Sequence, residues 1–140
     1  MANRPYANKG FTILSAAFTA AGITAGAAIT DLEGMNRLSI QAKFTNSAAG
    51  TSANFYVQTT FDSGANWLDI ANFLYSGVES GLRLFSLDPT AVTTQYTPTS
   101  GSLSANVVKN GLLGHHLRVV RDISGTYTGG QVVVVGVARN

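Results

Sequence analysis

No cysteine occurs in the 140 residues, which excludes a disulfide framework and any thiolate-bound metal and leaves the redox compartment unmarked. Charge is scarce as well: nine Lys and Arg with seven Asp and Glu make up 11% of the chain, against about 25% in an average soluble domain. The formal charge is only +2, and its basic residues are scattered from Arg4 to Arg139 without a cluster. Nucleic-acid binding normally needs a basic patch or stripe, so nucleic acid is not an expected partner. No segment of a dozen residues carries a helical apolar stripe. Residues 11–30 are uncharged, but their Thr, Ser and Gly content is too polar for a membrane span or signal core, so neither is expected. A phosphate-cradling glycine loop, a G-x-S-x-G elbow and an H-E-x-x-H pair are all missing.

What is present is strand pattern. In RLSIQAKFT, Leu38, Ile40, Ala42 and Phe44 alternate with Ser39, Gln41, Lys43 and Thr45, the period of a half-buried antiparallel strand. ANFYVQTTF follows after a turn, with Phe55, Val57, Thr59 and Phe61 on one face, and WLDIANFLY makes the next meander strand. Residues 11–30 read as a strand, a small-residue loop and another strand. LRLFSL and AVTTQYT read as short strands around the Asp88-Pro89 turn, and residues 98–116 as a long irregular stretch. LRVVRDI and QVVVVGVARN close the chain, the valine run at 132–135 suggesting burial on both faces.

These elements predict an all-β fold: an antiparallel β-sandwich or jelly roll of eight or nine strands, with an open barrel as the runner-up. A chain of this length buries about 68–70% of its unfolded surface, enough for one core. The expected organisation is a single domain over residues 11–140 preceded by an extended N-terminal arm, residues 1–10. A surface rich in Ser, Thr, Asn, Gln and Gly, with little charge to keep it apart, further predicts cover by neighbouring subunits.

One local motif stands out. Thr60, Asp62, Gly64 and Trp67 match [ST]-x-D-x-G-x-x-W, so the stretch resembles an Asp box, a hairpin turn of sialidases and many unrelated β proteins. Its residues suit structural work: Asp62 can accept turn amides, Gly64 can take positive φ, and Trp67 can cap the hairpin. The motif occurs once, in a chain too short for a propeller, so a plain turn is the expected meaning. His115 and His116 are adjacent, so on a strand they point to opposite faces and make a poor metal pair. The carboxylates are spread singly over turns, with Asp69 suited to pairing with Gln or Arg across the sheet. No catalytic residue, metal ligand or cofactor is therefore assigned.

Taken over most of its length, from about Ala16 onward, the chain resembles small structural proteins encoded by tailed bacteriophages. The likeness lies in RLSIQAKFT, in FYVQTTFDSGANWLDIANF and in LGHHLRVVRDISGTYTGGQVVVVGVAR. It implies a virion β-sandwich, a capsid decoration or cement protein made in the host cytoplasm and bound to the capsid exterior. The partners implied are the major capsid protein and copies of the chain itself, as a homotrimer. Arg4, Tyr6 and Lys9 of the arm are the residues expected to reach a neighbour. The alternatives are a neck, tail or receptor-facing virion component, or a carbohydrate-binding module using Trp67 and nearby tyrosines on a glycan. An enzyme ranks last.

Overall fold

The computed structural model describes residues 8–87 and 95–139, within which eight strands form. They are β1 (Asn8–Phe18), β2 (Gly22–Ala25), β3 (Arg37–Thr45), β4 (Ser52–Thr60), β5 (Leu68–Ser76), β6 (Gly81–Leu87), β7 (His116–Ser124) and β8 (Gly130–Arg139). Pairing is antiparallel throughout, β1 with β8, β2 with β7, β3 with β6 and β4 with β5. Each strand thus meets its counterpart counted from the other end, as if one long hairpin had been rolled up. The additional pairs β3–β8 and β4–β7 complete two four-stranded sheets, a first of order β1-β8-β3-β6 and a second of order β2-β7-β4-β5. This is the jelly-roll form of the sandwich.

The inner faces meet through the residues that alternation selects. Leu38, Ile40, Ala42 and Phe44 of β3 are all buried, while Gln41 and Lys43 point outward. Phe44 sits 5.8 Å from Phe18, 5.7 Å from Phe55, 5.0 Å from Tyr75 and 5.4 Å from Tyr127, ring centre to centre. Each such pair adds about 0.5–1.5 kcal/mol beyond plain burial. Tyr127 comes from the loop between β7 and β8, whose amide at Tyr127 donates to the Thr19 carbonyl at 2.9 Å and draws the ring inside. Its hydroxyl is buried without a partner.

Several expectations change. Asn8, Lys9 and Gly10, assigned to an arm, already pair with Arg139, Ala138 and Val137, so β1 begins before residue 11. The rest of the arm, with Arg4 and Tyr6, lies outside the described residues, as do the Asp88-Pro89 turn and residues 91–94 of the expected extra strand; residues 95–97 form no strand. The valine run is buried on one face only: Val132 and Val134 are fully buried, whereas Val133 is 39% exposed, because no described residues form a layer over the outer face of the first sheet. Phe61 belongs to a loop and is exposed. Conversely β4 is buried on both faces from Phe55 to Thr60, because an irregular segment crosses the outer side of the second sheet.

That segment, residues 99–109, also closes the β5 edge. Asp69 and Asn72 donate their amides to the Thr99 and Val107 carbonyls, and Lys109 donates to that of Ile70. A bulge in β5 leaves Ile70 without a β4 partner, between Asp69 opposite Gln58 and Ala71 opposite Val57. Ile70 and Ala71 therefore both enter the core, while Asp69 and Asn72 turn outward to the covering segment.

Candidate functional site

The loop from β4 to β5, residues 61–67, is built around Asp62. Its Oδ1 accepts from the Thr60 hydroxyl and the Asn66 amide, both at 2.8 Å, and its Oδ2 accepts from Asn66 Nδ2 at 2.6 Å. The Thr60 hydroxyl in turn accepts from the Gly64 amide at 2.9 Å. Gly64 has φ +98°, a conformation that only glycine adopts without strain, and beside it lies the edge of the Trp67 indole. The donors to Asp62, those of Asn66 first and then that of Thr60, hold its carboxyl below the usual range and keep it ionised.

Trp67 leads from this turn onto the outer face of the second sheet. It is half-buried, with the Arg118 guanidinium 4.3 Å over its ring. Arg118 Nε donates to Gln58 Oε1 at 2.9 Å, and Gln58 Nε2 donates to Asp69 Oδ1 at 2.9 Å. Gln58 and Asp69 are 1% and 2% exposed, so a row of three polar groups runs inward from a surface cation to a buried anion. Asp69 also accepts from the Thr99 hydroxyl at 2.8 Å and from the amides of Gly101, Ser102 and Leu103 at 2.8, 3.0 and 3.1 Å. Burial pushes the Asp69 carboxyl up, but the bonds from Gly101, Gln58, Ser102 and Thr99 outweigh it and leave the group below its ordinary value. Burial lowers the Arg118 pKa. Beside this row lies a groove of about 270 Å³ lined by Ile23, Tyr56, Gln58, Ser100, Arg118 and Asp122.

A carboxyl that serves as general acid near neutral pH has a raised pKa, and both Asp62 and Asp69 are held in the opposite direction. Among the described residues no group of three or more His, Asp or Glu could hold a metal ion. His115 and His116 have ring centres 6.3 Å apart, and His115 is exposed before β7 begins. Tyr75 is fully buried and Tyr56 is 7% exposed, so neither lies open beside Trp67. Lys9 forms an ion pair with Asp31 of its own chain.

Thr60, Asp62, Gly64 and Trp67 lie together in one turn, and of the Gln or Arg suggested by the sequence as partner of Asp69 it is Gln58 that bonds to it. Sequence reasoning missed Arg118 over Trp67 and the capture of residues 99–103 by Asp69. The one available signal was the run of hydrogen-bond donors Thr-Ser-Gly-Ser at 99–102, which a buried carboxylate can fix.

No family model matches the chain, and no curated protein matches it. Among solved structures it is similar to the SPBc2 prophage-derived protein YomS, with 13% identity over 96% of this chain and 95% of that one and a TM-score of 0.46. It is also similar to PirA, with 10% identity over 95% of this chain and 93% of that one and a TM-score of 0.36.

Proposed function

We propose that this jelly roll is a non-enzymatic structural protein of a tailed-phage virion, a decoration protein that binds the capsid exterior as a homotrimer and stabilises the shell. The observation that carries the reading is the surface. Ile23, Leu82 and Leu84 are 73%, 60% and 73% exposed, on a chain with only 11% charged residues. A surface this apolar and this weakly charged suits a subunit of a larger assembly better than a freely diffusing monomer. Fold alone assigns no function, but eight-stranded jelly rolls recur in capsid and lectin domains, which is compatible with this use. Decoration works by burial: interfaces of about 800 Å² per partner, repeated over many copies, clamp the joints of the shell by avidity.

Carbohydrate binding through Trp67 receives less support, because Arg118 already covers one face of the ring and neither Tyr56 nor Tyr75 lies open beside it. The test is add-back. Particles of the encoding phage that lack this chain should release their genome at a lower temperature than complete particles, and purified protein should restore the difference. Equal heat resistance with and without the chain would contradict a stabilising role.

A further inference from the structure

The two sheets differ in a way that composition alone conceals. The four strands of the first sheet, NKGFTILSAAF, GQVVVVGVAR, RLSIQAKFT and GLRLFSL, contain no Asp or Glu. They contain Lys9, Arg37, Lys43, Arg83 and Arg139. Lys9 is paired with Asp31 and Arg83 with Glu79. Arg37, Lys43 and Arg139 have no carboxylate partner among the described residues, and all three are exposed.

The strand registers place these cations around an apolar centre. One row across the outer face runs Leu84, Gln41, Val135, Thr12; the next runs Leu82, Lys43, Val133, Ser15. On the other side lie Ser86, Ser39, Val137 and Gly10, and beyond them Arg37 beside Arg139. Leu82 and Leu84 are 60% and 73% exposed, and Val133 and Val137 are each 39% exposed. The small side chains among them leave an open trough of about 720 Å³ running past Leu84, Val135 and Val137.

We infer that this face is the docking surface of the protein, and that it takes a partner protein with an apolar ridge edged by carboxylates. The inference rests on the virion reading and specifies its contact: the partner is the shell protein, seated on the first sheet. Charge chooses this occupant over a second copy of the same face. Stacking two such faces would desolvate six cations, three from each copy, with no carboxylate in the strands of either to receive them. An anionic membrane would also satisfy the charge, but faces that enter lipid carry protruding aromatic side chains, and the outward residues of these strands are Leu, Val, Ser, Thr, Gln, Gly, Ala and the cations.

The test is cosedimentation of purified protein with particles of the encoding phage that lack it, run beside vesicles of phosphatidylserine and phosphatidylcholine. Leu84→Ser and Lys43→Glu should each weaken particle binding by about tenfold or more, with unchanged melting temperatures, and wild-type binding should weaken as salt rises. Ile23→Ser, on the opposite sheet, should bind as wild type. Particle binding that survives Leu84→Ser and Lys43→Glu but is lost in Ile23→Ser overturns this inference and leaves the virion reading standing. Loss of all particle binding in the wild type overturns both. Vesicle binding abolished by Lys43→Glu, or a soluble dimer dissociated by Leu84→Ser, assigns the face to lipid or to a second copy and also overturns the inference.

Discussion

Replacing Asp69 by Asn keeps the side chain's shape and removes its charge, so it isolates what the buried carboxylate does. Oδ1 serves Gln58 Nε2 and the Gly101 amide; Oδ2 serves the Thr99 hydroxyl and the amides of Ser102 and Leu103. Whichever oxygen becomes an amide nitrogen then faces donors. In the milder orientation the new NH2 stands against Gly101 and Gln58, and Gln58 can turn only by giving up Arg118. At least two charge-assisted bonds are lost, at about 1.5–3 kcal/mol each before the segment relaxes toward water, so Asp69→Asn should cost about 2–4 kcal/mol. That is a large share of the roughly 5–15 kcal/mol that holds a domain together.

Urea unfolding followed by Trp67 fluorescence reads this cost, and limited proteolysis should cut the variant within residues 99–109 first. The pH dependence gives a second check. The native carboxyl lies below its unfolded value of 3.8, so the unfolded chain takes up the proton first as pH falls. The stability this group supplies is complete above that value and is lost as pH drops through it toward the native one. The gap between wild type and Asp69→Asn should therefore narrow on going from pH 7 to pH 3. Equal stabilities at pH 7, or a gap that does not change with pH, would refute the assignment of Asp69 as the anchor.

Gly64→Val should lower the urea midpoint, since a β-branched residue is strained at φ +98° although its Cβ would meet the Trp67 indole only at ordinary contact distance. Trp67→Ala should cost about 1–3 kcal/mol, less than a core ring, because the indole is half-buried under Arg118. Gly114→Ala should be more damaging than its single methyl suggests, because the added carbon would collide with the Thr60 carbonyl group; differential scanning calorimetry should show a clear drop in Tm. Tyr127→Phe should be neutral or stabilise by up to about 1 kcal/mol in the same calorimetry, because it removes a buried hydroxyl that has no partner.

How much of this is legible in the sequence depends on the range of each interaction. The Thr60–Asp62–Asn66 bonds span two to four residues, so spacing alone disclosed them. Asp69 reaches residues 30 to 34 positions away, which no local pattern encodes. β3 was readable because its outward residues are polar, whereas β8 places valines on both faces, so its single buried face was hidden. The absence of acids from the docking sheet was written in the chain throughout. It became visible only when strands 1, 8, 3 and 6 were known to share a sheet.

The central claim is that the chain is a repeated component of the virion exterior, and the most direct measurement is its copy number in purified particles, by quantitative mass spectrometry against the major capsid protein. A decoration protein should be present on the order of hundreds of copies per particle, as avidity over a repeating shell requires. A count of about six or twelve would move it to a neck or tail ring, and absence from the particle would contradict the account.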